Sequence, residues 1–355
     1  MKILFLTKYN DVGPSSRYRV YQYLKFYTEY GFKVEVSPLF GSWFFHKIKI
    51  FRNIAIPFYY IRRFLKLFQL GNYNLACIEY ELFPFLPAVF ERLLRFFDVN
   101  YIVEYDDAIF HNYNDSSNFF IRLFLSKKID YVIRNANYVI GGSPYLSKYI
   151  SLINSKYIEI PTSISQDKYV RLFKENVNEV FIVGWIGSVS TSVNLIKLIP
   201  VFEALNDKIN FQLNLIGFDK NLFSKLQHLN VNFIEWRSET EIEEMSKFDV
   251  GIMPLDFTLF NQGKCGFKLV QYMGCSLPTI STPLEANVKM NRNKKNLHAL
   301  TVQEWISAIE CVYENQKYFR EVGLDNYKSF VKYYSVENNV GTYIAVYEKF
   351  KKINL

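Results

Sequence analysis

Gly263-Lys264-Cys265-Gly266-Phe267-Lys268-Leu269-Val270-Gln271-Tyr272-Met273 is the stretch whose reading decides the fold, with Pro278-Thr279-Ile280-Ser281-Thr282-Pro283 close behind it. A glycine-punctuated loop with two lysines runs into the first turns of a helix, and a short β-branched strand follows. Backbone N–H groups at a helix N-terminus, with ammonium groups beside them, suit a diphosphate. Lys268 sits at the helix start, and Gln271 lies within reach of a sugar or ribose hydroxyl.

Outward from this stretch, strand and helix signals alternate along the whole chain. That alternation predicts parallel sheets covered by helices. In the first half, strands are expected at 2–7, 33–38, 75–79, 101–104, 138–141 and 157–160. A second series is expected at 180–187, 211–216, 231–235, 250–253, 279–281 and 298–301. Helical patterns at 17–30 and 119–135 stand between strands of the first series, and the polar segment 162–179 reads as a linker. Length agrees: 355 residues are long for one domain and comfortable for two.

Composition narrows the function classes. Half the residues are apolar, and 27 Tyr and 33 Phe exceed what a core needs. The net charge of +8 admits anionic small substrates, a membrane surface or nucleic acid, but no nucleic-acid module is visible. Cys77, Cys265, Cys275 and Cys311 fit no common zinc spacing and read as reduced cytoplasmic thiols. No signal peptide or bilayer-spanning run is read at the start or within the chain.

Other turns carry candidate chemistry. The first strand leads into Thr7-Lys8-Tyr9-Asn10-Asp11-Val12-Gly13-Pro14-Ser15-Ser16-Arg17-Tyr18-Arg19, which lacks the G-x-G-x-x-G of dinucleotide binders. Glu104-Tyr105-Asp106-Asp107-Ala108-Ile109-Phe110-His111 puts two adjacent carboxylates after a strand, placed for hydroxyls or proton transfer. They lack the D-x-D spacing that holds a metal-bound nucleotide, so no metal is expected. Gly187-Ser188-Val189-Ser190-Thr191 follows a buried strand and leads into a helix expected near Val193. Trp236, in Glu235-Trp236-Arg237, offers an aromatic face. Segment 43–68 carries nine aromatic and six basic residues and no Asp or Glu, a composition suited to an anionic membrane surface.

The 263–283 stretch resembles the donor-binding motif of family 4 glycosyltransferases, bacterial cell-surface glycan type. In that family two glutamates usually stand eight positions apart here, where this chain has Gly263 and Gln271. The resemblance implies an α/β chain of two Rossmann-like domains facing each other across a cleft (the GT-B fold). It implies an N-terminal acceptor domain over 1–165, a nucleotide-sugar domain over 166–332, and a helix over 333–355 crossing back to the first domain. An ordinary terminal helix capped by Ser335 fits that last segment equally well.

By the same resemblance, Asp106, His111 and Lys268 are the expected catalytic residues. Gly13, Gly187, Ser188, Ser190, Lys264 and Lys268 would hold the donor diphosphate. Trp236, Arg237 and Gln271 would meet base and ribose; Gly263, Cys265, Gly266 and Phe267 the donor sugar; Arg17, Arg19 and Asp107 the acceptor. The implied activity is retaining hexosyl or N-acetylhexosaminyl transfer from a nucleotide-sugar to a glycan, lipid-linked, for O-antigen or capsule. No cofactor and no nucleic acid would take part, and the chain would lie on the inner face of the cytoplasmic membrane through 43–68. The alternatives are a non-catalytic nucleotide-sugar-binding protein and a nucleotide-sugar epimerase.

Overall fold

A computed structural model describes residues 1–45, 49–169 and 180–351. Parts of the aromatic-basic segment and of the expected linker, 46–48 and 170–179, lie outside the described residues. The chain divides into two compact units. One comprises Met1–Ser163, Gly263–Cys265 and Asn339–Leu355, the other Ile164–Gln262 and Gly266–Asn338.

In the first unit the strands are β1 Lys2–Leu6, β2 Lys33–Val36, β3 Leu75–Glu79, β4 Tyr101–Tyr105, β5 Tyr138–Gly141 and β6 Tyr157–Glu159. They form one parallel sheet in the order β2-β1-β3-β4-β5-β6. β3 and β4 are buried at every position, as central strands covered on both faces must be. The helices are α1 Pro14–Arg19, α2 Leu24–Glu29, α3 Lys49–Leu67, α4 Val89–Phe96, α5 His111–Asn114, α6 Phe119–Leu125, α7 Lys128–Asn135 and α8 Pro144–Ser151.

The second unit repeats the plan. Its strands are β7 Phe181–Ile186, β8 Phe211–Ile216, β9 Val231–Ile234, β10 Val250–Met253, β11 Thr279–Ser281 and β12 Leu297–His298. They form a parallel sheet in the order β12-β11-β10-β7-β8-β9. Its helices are α9 Ser192–Ile196, α10 Ile199–Asn206, α11 Glu241–Ser246, α12 Leu259–Gln262, α13 Phe267–Gly274, α14 Glu285–Met290, α15 Val302–Glu314 and α16 Gln316–Ser329. The last helix, α17 Val336–Glu348, follows Ser335, whose hydroxyl accepts from Asn338 N at 3.3 Å. Every expected strand is present in both units, with some ends shifted by one to three residues, most at β12, which stops at His298 where 301 was expected.

Two helices expected as continuous are broken. Residues 17–30 bend at Val20 (φ −126°, ψ −60°) and pass through a 3₁₀ turn, Tyr21–Tyr23, between α1 and α2. The bend lets Tyr23 and Tyr27 stack at 5.9 Å with Tyr343 of α17 against Tyr23 at 4.8 Å. Residues 119–135 break between α6 and α7, where Lys127 begins the second helix.

From Asn339 onward, α17 belongs to the first unit. Tyr347 stands edge-on to Phe5 of β1 and to Tyr27 of α2, and the Tyr30 hydroxyl donates to Glu348 at 2.7 Å. The crossing thus falls between 338 and 339, with residues 333–338 in the second unit.

Candidate functional sites in the two units

Open parallel sheets bind ligands outside the C-terminal ends of strands where the strand order reverses. In the second unit that point lies between β7 and β10. Tyr272 of α13 fills the gap: Ile186 N donates to its hydroxyl at 3.1 Å, and the hydroxyl donates to Ile252 O at 3.0 Å. This fixes α13 with its N-terminus at the strand ends. Gly266 precedes the helix in the left-handed region (φ +65°), where a Cβ would stand 2.6 Å from Met290 Sδ. Only glycine meets both conditions without strain.

In the first turn of α13, the Lys268 ammonium lies 5.2 Å from the centre of the Trp185 ring. The same indole touches the turn after β7, since a Cβ on Gly187 would come within 2.3 Å of it. Trp185 is fully buried and acts as the floor on which the Gly187 turn and Lys268 meet. Gly217, at φ +73°, brings the turn after β8 against Gly187 O. The turn after β7 starts as a 3₁₀ turn, Val189–Thr191, and α9 follows from Ser192, where a helix was expected near Val193. Ser188 and Thr191 cap it reciprocally: Ser188 N donates to Thr191 Oγ1 at 3.0 Å. Ser188 and Ser190 hydroxyls lie 3.1 Å apart. The result is a helix N-terminus, a lysine and a hydroxyl-lined turn at one end of one sheet.

The first unit reverses strand order between β1 and β3. Glu79 ends β3 and ties these strand ends together: its Oε2 accepts from Lys8 N at 2.8 Å and from Ser16 Oγ at 2.5 Å. Its Oε1 is buried without a hydrogen-bond partner among the described residues. Burial, reinforced by Asp106, pushes the Glu79 carboxyl up to about 7. Tyr80 follows in the left-handed region (φ +64°), and its hydroxyl donates to Asp106 Oδ1. The Lys8 ammonium lies 5.1 Å from the Tyr80 ring centre and 5.4 Å from that of Tyr9.

Segment Gly263–Cys265 closes this edge. The Lys264 ammonium pairs with Asp107 at 2.8 and 3.0 Å, Cys265 Sγ donates to Asp106 O at 2.8 Å, and Ser143 Oγ donates to Gly263 O at 3.1 Å. Gly263 fits because a Cβ there would stand 2.4 Å from that of Ala108. Burial disfavours the Lys264 charge, but Asp107, with smaller help from Asp106 and Cys265, outweighs it and raises the ammonium's pKa.

Several expected site residues take other places. Arg19 does not face an acceptor. It is 2% exposed, donates from Nε to Glu104 at 2.6 Å and from Nη1 to Ile160 O at 2.9 Å, and shares Glu104 with the Tyr343 hydroxyl. A strand-end carboxylate buried under α17 demanded a cation, and Arg19 supplies it. Gln271 does not face a ribose, since it is buried in α13. Lys264 pairs with Asp107 within the first unit. Gly13 accommodates Tyr9, whose Cβ would lie 2.3 Å from one on Gly13.

The remaining expected residues lie in the turns and helices that follow strands. His111 meets Asp115 at 2.6 Å and the Tyr145 hydroxyl at 2.9 Å. Arg17 stacks on Tyr18 at 4.9 Å. Trp236 donates from Nε1 to Glu241 at 2.7 Å, and exposed Arg237 donates to Glu235 at 3.2 Å. Phe267 opens α13 and Cys265 is buried. Lys8, Glu79 and Tyr80 were not among the expected residues. Their signal was present: an acid at the last position of an apolar strand, followed by Tyr-Glu.

Residues 180–315 match the family model described as Glycosyl transferases group 1. No curated protein sequence matches the chain. Among solved structures, a glycosyltransferase from Rickettsia africae is similar over 99% of this chain and 98% of its own, with TM-score 0.72 and 12% identity. HepE of Anabaena, in complex with UDP-glucose, matches over 98% and 100%, with TM-score 0.72 and 13% identity. WaaG, a glycosyltransferase involved in lipopolysaccharide biosynthesis, matches over 99% and 100%, with TM-score 0.65 and 12% identity. At these identities the likeness is one of fold: two six-stranded parallel sheets with helices, the GT-B architecture.

Proposed function

We propose that this chain, whose second unit carries a glycosyl transferases group 1 domain, is a retaining glycosyltransferase that moves a sugar from a nucleotide-sugar to a glycan acceptor. The observation that carries this reading is the meeting of Lys268 and the Gly187 turn over Trp185 at the N-terminus of α13. Amides, hydroxyls and one ammonium there provide donors for a diphosphate. Lys264 lends its charge to Asp107, so Lys268 is the lysine assigned to the leaving group. HepE, similar in fold, holds UDP-glucose in its solved complex, which makes uridine diphosphate sugars the first donors to try.

The first unit would hold the acceptor, with Asp106, oriented by Tyr80, accepting from a sugar hydroxyl. In same-face attack the departing phosphate oxygen takes the acceptor proton, so the protein need only position and stabilise charge. No metal or cofactor enters this scheme. The acceptor would be a lipid-linked glycan of a bacterial surface polysaccharide, reached at the inner face of the cytoplasmic membrane.

The rival reading, a donor-binding protein without turnover, rests on Gly263 and Gln271 standing where the resembled family has glutamates. Incubation with a panel of nucleotide-sugars, read by NMR, separates the two. Release of nucleoside diphosphate with the donor's anomeric configuration kept in the product is expected. An inverted anomer contradicts retention, and binding without release favours the rival. Removing one oxyanion-type donor costs about 3 kcal/mol in barrier, so Lys268→Ala should lower turnover on the order of a hundredfold with folding intact.

A further inference from the structure

Asp115, His111 and Tyr145 form a hydrogen-bonded relay in the first unit that plays no part in the scheme above. His111 opens α5, which follows β4, and Asp115 caps its end. Tyr145 lies in the first turn of α8, which follows β5. His111 Nδ1 stands 2.6 Å from Asp115 Oδ2, and its Nε2 stands 2.9 Å from the Tyr145 hydroxyl.

The acid fixes the direction of the relay. A carboxylate only accepts, so the ring proton sits on Nδ1 and is donated to Asp115. A neutral imidazole has one N–H. Nε2 is therefore the acceptor, and the Tyr145 hydroxyl donates to it. The Tyr145 oxygen keeps its lone pairs and has no proton to offer a ligand. It takes no other hydrogen bond among the described residues, and the side chain is only half-buried.

Packing holds the relay in place. The Phe110 ring stacks on Tyr149 at 3.8 Å, lies nearly parallel to Tyr145 at 6.3 Å and meets His111 at 4.5 Å. Buried Ser143 caps α8 by accepting from Leu146 N at 3.4 Å, and it donates to Gly263 O. A polar group supported in this way is pre-organised for a ligand.

His111 and Tyr145 follow the C-terminal ends of neighbouring parallel strands, the end at which open sheets bind ligands. Gly142 joins this place to Asp106. Its N donates to Tyr105 O at 2.8 Å, and a Cβ on it would stand 3.3 Å from Asp106 Cα. Asp106 and Tyr145 thus offer acceptors on one sheet edge, so a ligand there must bring donors. Lys264, paired with the adjacent Asp107, disfavours a cation. Several hydroxyls on one molecule meet both conditions.

We propose that the Tyr145 oxygen accepts from a hydroxyl of a polyol bound at the ends of β4 and β5, with His111 and Asp115 as positioning residues that turn its proton away. The inference rests on the reading above in which the first unit holds a glycan acceptor.

Nitrogen NMR of the full chain with isotope-labelled histidine tests it, His111 being assigned through His111→Gln. In mildly alkaline solution a ring protonated at Nδ1 is expected. A proton on Nε2 would make the Tyr145 oxygen the acceptor of the pair and overturn the proposal. Titration with methyl glycosides of glucose, galactose, mannose and N-acetylglucosamine should shift the His111 signal for at least one of them. Tyr145→Phe, which removes only the oxygen, should weaken that binding on the order of tenfold at unchanged melting temperature. No shift with any glycoside, or equal affinity in the variant, would overturn the proposal. A melting shift with nucleoside diphosphate, read on the same samples, tests the glycosyltransferase reading separately: without that shift, glycoside binding that needs Tyr145 leaves the polyol site standing.

Discussion

Glu79 links β1, α1 and β3 through one carboxylate oxygen, while its other oxygen is buried without a hydrogen-bond partner among the described residues. Burial and Asp106 hold its pKa up to about 7, whereas an unfolded glutamate titrates near about 4.3. Below the lower value both states are protonated and Glu79 does not disturb folding. As pH rises towards 7 the unfolded chain releases a proton that the folded chain keeps. Stability then falls, by on the order of 3 kcal/mol, and levels off above 7. Glu79→Gln keeps an acceptor for Lys8 N and Ser16 and removes this slope. Melting curves from pH 4.5 to 8 should show the variant gaining on the wild type as pH rises; parallel curves would contradict the assignment.

Arg19 makes a different prediction. Removing it leaves Glu104 buried with only Tyr343, and Arg19→Met should cost about 3–5 kcal/mol in chemical denaturation. An acceptor-contacting arginine would instead leave stability intact and lower activity. The sequence places Arg19 two residues after Arg17 on a helix and offers no means of telling which points inward. That choice is made by Glu104, 85 residues away, and Tyr343, 239 residues beyond that. The position of Asp106 at the end of β4 was legible because a paired carboxylate after an apolar strand is a local signal. Tyr80, which donates to Asp106 from the turn after β3, was not.

At the scale of elements, strands were legible because buried parallel strands are short, continuous apolar runs. Breaks within helices were less so, since Val20 carries no proline or glycine signal and bends the chain to bring Tyr23 and Tyr27 under α17. The start of α13 was legible from its glycines, and the structure adds why Gly266 is needed. Gly266→Ala places a Cβ at φ +65° and against Met290. Strain of about 1–3 kcal/mol should lower the melting temperature and weaken nucleotide binding, because the first turn of α13 must shift. A variant that binds nucleotide as the wild type does would separate this turn from the donor site.

At the scale of the molecule, the chain visits the first unit three times: at its start, at Gly263–Cys265 and from Asn339 onward. The middle visit is held by Lys264–Asp107 and by Cys265 on Asp106 O, pairings between residues more than 150 positions apart that no local pattern encodes. The last visit covers Phe5, Tyr23 and Tyr27 with Tyr343 and Tyr347. A chain ending at Asn338 should expose these rings and make the first unit susceptible to limited proteolysis. Unchanged protease resistance would contradict that role for α17.

The central claim, a diphosphate site at the N-terminus of α13, is tested most directly by melting the wild type and Lys268→Ala with a panel of nucleoside diphosphates. A ligand that binds only the folded state stabilises it by about 2.7 kcal/mol at a hundredfold excess over its Kd. The expected result is a rise in melting temperature with one nucleotide, uridine diphosphate first, that Lys268→Ala abolishes. No rise with any nucleotide, or an equal rise in the variant, would contradict it.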